Sequence, residues 1–225
     1  RLKTLLTTTP SFMPLGDCFN QKLENLPHSL RKLKLSQKFN QKLEDLPNGL
    51  QCLVLGYCFN QEIENLPDSL QSLTLGTCFD RKLGNLPNGL LKLKFWNTSD
   101  FNQKLENLPG TLLSLILGDK FNQPLPILPE TLQRLTLGSQ FRQHLPNLPE
   151  TLHSLTLYCS LKQQIEKLPQ NLRNLSCVSG LNLGYLPDGL LNLNVFKNFD
   201  LIIKNLPNSL RGLSLGQFCR PVWKN

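Results

Sequence analysis

The sequence lacks the features by which membrane-spanning and helical proteins are recognised. No apolar run approaches the ~18 residues that suggest a membrane span, and the first residues do not form a secretory signal. The 16 prolines and 14 glycines recur too often for helices of ordinary length. We therefore expect a chain with little or no helix, no membrane partner and a cytoplasmic location.

Residues and motifs with catalytic chemistry are also scarce. The three histidines, His28, His144 and His153, fall at unrelated positions of the repeat described below. The chain contains no glycine-rich phosphate loop, no H-E-x-x-H and no G-x-S-x-G. The sequence thus predicts a protein that is not an enzyme and that uses no cofactor.

Cysteine is too irregular for a disulfide framework. The seven cysteines are an odd number without a secretion signal, which favours reduced thiols. Cys58 and Cys78 occupy equivalent positions of adjacent repeats, where a bridge or a metal site is conceivable. No C-x-x-C occurs and no histidine joins them, so the four-ligand site of structural zinc is not predicted. Cys177 replaces a core leucine, a usual role for a free cysteine.

The chain does contain a repeat of about 20 residues from end to end. A Leu-Pro pair marks its phase, and the spacing of the prolines is 20 residues except for one interval of 22 and one of 18. The marker prolines are Pro27, Pro47, Pro67, Pro87, Pro109, Pro129, Pro149, Pro169, Pro187 and Pro207. A fixed period of this size predicts a solenoid.

Each repeat carries fixed apolar positions. Leucine lies three and six residues after every marker proline, and an apolar residue lies eight after it. The last two point to the same side of an extended chain, so each repeat predicts one short strand. In the half of the repeat that precedes the proline, phenylalanine lies eight residues before it in most copies, and leucine or isoleucine lies four residues before it. These residues form one core only if the repeats stack.

Polar positions also recur. Asparagine follows the phenylalanine in five copies and follows Leu181 in a sixth. Its amide can satisfy backbone groups of a buried turn, which predicts an asparagine ladder. Glycine follows many of the strands, where we expect a positive φ at the corner. Lysines five residues before the proline and glutamates three before it should alternate as a solvated stripe of ion pairs, each worth little.

The combination Leu-x-x-Leu-x-Leu, Phe-Asn-Gln-Lys-Leu and Leu-Pro-x-x-Leu resembles FNIP repeats over roughly residues 10–222. FNIP repeats are a leucine-rich-repeat subfamily abundant in social amoebae and giant DNA viruses. The resemblance implies a leucine-rich-repeat solenoid, a horseshoe of the α/β class with little or no helix. About eleven short parallel strands should line its concave face, opposite an extended, irregular convex side. We expect one domain over residues 1–225, with residues 1–9 as a cap or the remnant of an upstream region.

The resemblance also implies binding of other proteins, so we predict a non-catalytic protein–protein interaction scaffold whose partner is unknown. The outward strand positions vary while the core positions stay fixed, and this favours the concave face as the contact surface. The candidate contact residues are Lys32, Lys34, Lys92, Lys94, Trp96, Arg134, Tyr158, Asn194 and Phe196. Trp96 precedes a loop, residues 97–100, that is two residues longer than its equivalents. It is either an exposed anchor for a partner or a cover folded over that loop.

Two other functions remain as alternatives. Some FNIP proteins carry an upstream F-box, so this chain is alternatively the substrate-recognition part of an F-box-type ubiquitin ligase receptor. It is alternatively a self-assembling structural solenoid, forming homodimers through its end strands. The formal charge of +8 is interpreted as a solubilising surface, and a nucleic-acid partner is not predicted.

Overall fold

The computed structural model describes residues 12–14, 18–159, 165, 167–178, 186–196 and 206–216. Eleven short strands follow one another along the chain. They are β1 (Phe12–Pro14), β2 (Lys32–Lys34), β3 (Cys52–Val54), β4 (Ser72–Leu75), β5 (Lys92–Phe95), β6 (Ser114–Ile116), β7 (Arg134–Leu137), β8 (Ser154–Leu157), β9 (Asn174–Val178), β10 (Asn192–Phe196) and β11 (Gly212–Gly216). None of these described residues is helical.

The strands form one parallel sheet in sequence order from β1 to β11. Equivalent leucines pair across every junction from β2 to β11, as Leu53 does with Leu33 and Leu73, and Met13 takes the leucine position in β1. The two-residue insertion after β5 leaves this register intact, since Lys92 still pairs with Ser114. The short repeat also keeps it, since β9 and β10 pair over five residues. The predicted leucine-rich-repeat solenoid is therefore confirmed, and its strand number agrees with the expectation of about eleven.

The core consists of the columns that the period predicts. The leucines three and six residues after the marker proline are almost completely buried from Leu30 to Leu193, and Cys177 is equally buried in its leucine position. The phenylalanines stack in a ladder with ring centroids 6.0–6.2 Å apart from Phe19 to Phe141. Since each turn covers its neighbour, burial depends on the stack and not on any single repeat.

The two sides of the stack differ in width, and the difference gives the molecule its curvature. Neighbouring strands in a sheet lie about 4.8 Å apart, whereas the phenylalanine rings of neighbouring repeats are 6.0–6.2 Å apart. Each repeat is thus a wedge, wider by roughly 1.3 Å at its phenylalanine side than at its strand. The strands consequently line the concave face of the horseshoe.

The Leu-Pro-x-x-Leu segment is a tight turn that leads the chain into each strand. In all ten copies the leucine N–H donates to the proline C=O, with N···O distances of 2.9–3.1 Å, as in Leu50 to Pro47. Proline serves here because it has no N–H to satisfy while its carbonyl is still an acceptor. Two residues before the proline, Asn25, Asp45 and Asn65 adopt φ of 54°, a left-handed conformation that Asn and Asp tolerate.

The predicted asparagine ladder is confirmed by hydrogen bonds between successive repeats. Asn40 Oδ1 accepts from the Asn60 N–H at 2.9 Å and from Gln61 Nε2 at 3.1 Å. Asp80 does the same for the next repeat, accepting from the Asn102 N–H at 2.9 Å. The ladder therefore requires an acceptor oxygen, which either side chain provides.

The explanation of the corner glycines was wrong for four of five positions. Gly56, Gly76, Gly118 and Gly138 do not have a positive φ, which occurs only at Gly216 among the described glycines. A Cβ added to Gly76 would lie 1.7 Å from the Gly56 carbonyl oxygen. Glycine is required because successive backbones approach closely at this corner, a second reason for glycine besides conformational freedom.

Segments at both ends of the chain, and some internal ones, lie outside the described residues. The proposed cap over residues 1–9, the terminal Trp223 and the loop shortened at residues 179–185 fall in this group. Pro14 lies in β1, the edge strand of the sheet. An edge strand tolerates proline because its missing N–H breaks no ladder on the open side.

Candidate functional site: the concave strand face

The concave face is formed by side chains that alternate with the core leucines. In β5, Leu93 and Phe95 are buried whereas Lys92 and Lys94 are exposed. The same alternation exposes Lys32 and Lys34 on β2. Alternation follows from the strand period of two, so each strand offers two or three side chains to a partner.

The strand β5 carries the most prominent group, Lys92, Lys94 and Trp96. Trp96 directly follows the strand and is 48% exposed, and Lys94 Nζ lies 5.6 Å from the centroid of its ring. Beneath them Phe95 replaces the usual leucine and contacts Phe101 at 4.2 Å between centroids. This aromatic contact in the core holds the strand firmly, which keeps the exposed group in place.

The long loop that follows is held by hydrogen bonds of its own residues. The fully buried Ser99 accepts a hydrogen bond from the Phe101 N–H through its Oγ at 3.2 Å. The Ser99 N–H donates to the Trp96 carbonyl at 2.8 Å, and the Asp100 N–H donates to the Thr77 carbonyl at 2.7 Å. About half of the surface of Trp96 is exposed to solvent.

Arg134 belongs to the same surface. It is exposed at the start of β7 and pairs in register with Ser114, which in turn pairs with Lys92. Arg134 thus lies two strands from Lys92, roughly 10 Å away. On the other side of Lys92, the lysines of β2 lie three strands from Lys92, roughly 14 Å away. We call Lys32, Lys34, Lys92, Lys94 and Arg134 the basic strip.

The other three candidates form a separate, half-buried group. Tyr158 and Phe196 stack with ring centroids 5.4 Å apart at an angle of 15°, although one strand, β9, lies between them. Asn194 Nδ2 donates to Ser176 Oγ at 3.1 Å. All three side chains are partly covered, so they are less available to a partner than the basic strip. No sequence pattern indicates this aromatic pair, because its members belong to repeats that are not adjacent.

The distribution of charge is a property that the sequence-based interpretation missed. The strand segments are the six-residue segments that begin one residue before each of the strands β2 to β11. They contain eight of the 24 Lys and Arg and none of the 16 Asp and Glu. The other 16 basic residues therefore equal the acidic residues in number. The eight are Arg31, Lys32, Lys34, Lys92, Lys94, Arg134, Arg173 and Arg211. The whole formal excess of +8 therefore lies in the strand segments and not in the Lys/Glu stripe.

The predicted stripe of ion pairs is mostly absent from the described residues. Of its pairs, only Lys22 and Glu44 approach, at 3.9 Å between Nζ and Oε2. A shorter pair joins Lys120 to Asp100 at 2.6 Å in the long loop, and this contact raises the pKa of Lys120. Exposed pairs of long side chains gain too little to be held in one geometry.

The described residues contain no cluster of catalytic or metal-binding character. No three His, Cys, Asp or Glu among them lie close enough to hold a metal ion. Cys58 and Cys78 are free thiols, and burial is the main cause that raises the pKa of Cys78. Burial raises the pKa of Cys159 to about 11 and of Cys177 to about 12, so both are inert thiols at neutral pH. Within the described part, no helix exists that is long and apolar enough to cross a bilayer.

Comparison with known proteins agrees with this architecture. The FNIP Repeat family matches residues 39–78 and 121–160. Among solved structures, the circular LRR protein CroV588 is 32% identical with a TM-score of 0.69, over 89% of this chain and 39% of that one. YopM from Yersinia enterocolitica WA-314 is 26% identical with a TM-score of 0.67, over 87% of this chain and 44% of that one. No curated protein sequence matches the chain.

This chain thus spans about two fifths of the length of each of these two structures. FNIP repeats are present in it, and its fold is that of the leucine-rich-repeat proteins.

Proposed function

We propose that this leucine-rich-repeat chain with FNIP repeats is a non-catalytic scaffold that binds another protein through its concave strand face. The observation that carries the proposal is the group at β5. Lys92 and Lys94 are exposed on the strand, the half-exposed Trp96 directly follows it, and Phe95 packs in the core beneath. Tryptophan is among the residues that most often dominate the energy of protein interfaces.

The fold supports this surface because core and face residues have separate roles. The core columns are nearly invariant from repeat to repeat, whereas the outward positions change from lysine to serine, threonine or isoleucine. Solenoids expose such variable positions on an extended concave surface, where a partner contacts several repeats at once. The exposed residues are therefore free to vary without loss of the stack.

The experiment replaces Lys92, Lys94 and Trp96 together by alanine. The wild-type and variant proteins are immobilised, and the proteins that each retains from a lysate of the source organism are compared by mass spectrometry. We expect the proteins retained by the wild type to be lost from the variant. The free energy of unfolding should change by only about 1 kcal/mol, because exposed side chains contribute little to stability.

The matched control is a second triple variant, Lys42→Ala, Lys82→Ala and Ile127→Ala. It also removes two exposed lysines and one exposed apolar side chain, Ile127 being 92% exposed, but none of the three belongs to a strand. The control should retain every partner of the wild type. Equal retention by both triple variants would refute binding through β5.

Self-assembly is a second candidate, favoured by the end of the described sheet. Leu213 and Leu215 on β11 occupy core columns, yet each is 45% exposed. Pairing of two chains at this end would bury them. Light scattering should then give a mass that rises with concentration for the wild type and stays that of a monomer for the double variant Leu213→Gln with Leu215→Gln. A wild type that is monomeric at all concentrations would exclude self-assembly.

The ubiquitin-ligase role stays a prediction. It requires an F-box in the reading frame upstream of residue 1, and the sequence of that frame decides it.

A further inference from the structure

We infer that the segment of the partner that contacts the concave face is an acidic, extended polypeptide seated on the basic strip. This inference rests on the proposed function and adds the chemistry of the partner. It begins from the segregation of charge: the strand segments hold the whole formal excess of +8 and no carboxylate, while the rest of the chain balances to zero. A surface of one sign attracts a partner of the other and disfavours partners of the same sign.

The basic strip is not neutralised by ion pairs within the part of the chain that the structure describes. None of its five cations forms an ion pair with a described carboxylate, since the described pairs involve Lys22, Lys120 and Lys167. By contrast, two of the three arginines that precede the strands have local roles: Arg31 Nη1 donates to the Gly49 carbonyl at 3.2 Å, and Arg173 Nη1 donates to the Gly189 carbonyl at 2.7 Å. The strip therefore contains most of the positive charge of the strand segments that remains available to a ligand.

The spacing of the strip fits a polypeptide. The steps of roughly 14 Å from β2 to β5 and roughly 10 Å from β5 to β7 equal about four and about three residues of an extended chain at ~3.4 Å per residue. Because side chains of an extended chain alternate between two faces, acidic side chains four residues apart face the strip together. The long side chain of Arg134 spans the difference between its step of roughly 10 Å and the roughly 14 Å of four residues. The Trp96 ring, half exposed beside Lys94, offers an apolar surface for a side chain between two of them.

A nucleic acid fits less well. It carries a phosphate at every nucleotide, and proteins that bind single strands follow the backbone with a continuous cationic groove. Here the strands between the cations present neutral side chains on the same face, and two of these side chains, Val54 and Ile116, are apolar. Alternation of charged and apolar contacts suits the mixed side chains of a peptide.

The test uses a fluorescein-labelled peptide of about twelve residues that carries glutamates four residues apart. A peptide with glutamine in place of glutamate and an oligothymidylate of similar length are measured beside it by fluorescence anisotropy. We expect the wild-type protein to bind the glutamate peptide more tightly than the other two. The affinity should fall as salt rises, because exposed charges are screened over about 10 Å at 0.1 M ionic strength.

Two variants with the same change in net charge locate the binding. Lys92→Glu with Lys94→Glu reverses the charge at the centre of the strip and should lower the affinity for the glutamate peptide by at least about tenfold. Lys42→Glu with Lys82→Glu reverses two exposed lysines outside the strands and should leave the affinity within about twofold of wild type. Circular dichroism melting of each variant confirms that it is folded before the affinities are compared.

Three results would overturn the inference: no preference for glutamate over glutamine, equal weakening by both charge reversals, or tighter binding of the oligothymidylate. These failures differ from a failure of the proposed function. If only the acidic character is wrong, the alanine triple variant at β5 still loses its protein partners. If the proposed function is wrong, that variant retains them.

Discussion

Replacing Asn40 by alanine tests the polar half of the stack, and the structure indicates how large the effect should be. The Asn40 oxygen accepts from the Asn60 N–H at 2.9 Å and from Gln61 Nε2 at 3.1 Å. Alanine leaves a half-buried backbone N–H without its partner, which costs about 1–3 kcal/mol. Because each repeat contacts only its neighbours, the loss falls on the junction of two repeats.

Asn40→Asp is the matched control for that variant. Asp80 already fills the equivalent position and accepts from the Asn102 N–H at 2.9 Å and from Gln103 Nε2 at 3.0 Å. An acceptor oxygen is thus sufficient, and we expect aspartate to keep the free energy of unfolding within about 1 kcal/mol of wild type. A second control, Lys38→Ala, removes an exposed side chain of the same repeat.

Urea unfolding at 25 °C, followed by circular dichroism, gives the free energies of unfolding. Asn40→Ala should lower the free energy of unfolding, and Asn40→Asp should not. If Asn40→Ala is as stable as wild type, or if Asn40→Asp loses as much free energy of unfolding as Asn40→Ala, the acceptor ladder does not hold the repeats together.

Three further predictions concern the core and the corners. Phe121→Ala should lower the free energy of unfolding by about 3–5 kcal/mol, because the ring is fully buried between two others; urea unfolding measures this, and Ile127→Ala should change it by less than about 0.5 kcal/mol. Gly76→Ala should cost at least ~2 kcal/mol in the same assay, since the new Cβ would meet the Gly56 carbonyl oxygen at 1.7 Å; an unchanged midpoint would contradict the close approach. Burial raises the pKa of Cys177 from 9.0 to about 12 in the folded protein, so its contribution to stability is complete below pH 9 and is lost as pH rises from 9 toward 12. The melting temperature of wild type should therefore fall more between pH 8 and about pH 11 than that of Cys177→Ala, and equal falls would contradict the linkage.

Much of the fold could be predicted from the sequence because every core position recurs with the period. Leu33, Leu53 and Leu73 each need the same neighbours, so one repeat determines the next, and the insertion after Trp96 changes only a loop. The role of the corner glycines could not be read this way. Whether Gly76 serves a positive φ or a close approach depends on the distance between neighbouring backbones, and no single repeat contains that distance.

The candidate site was predicted unevenly for a similar reason. Lys92, Lys94 and Trp96 follow from strand alternation alone, and the structure leaves them exposed. The stacking of Tyr158 on Phe196 depends on contact across an intervening strand, which the repeat pattern does not describe. The segregation of charge was present in the sequence, but it becomes visible only when all the strand segments are considered as one surface.

The fluorescence of Trp96 gives the most direct test of binding at the concave face. The chain has two tryptophans, so Trp223→Phe leaves Trp96 as the only reporter. Because the Trp96 ring is 48% exposed, acrylamide should readily quench the fluorescence of Trp96 in this variant when no peptide is bound. Saturation with the glutamate peptide should protect the ring and lower the quenching constant by about half or more, because fully buried residues at interface centres are shielded from solvent. An unchanged quenching constant at saturating peptide would contradict binding at the concave face.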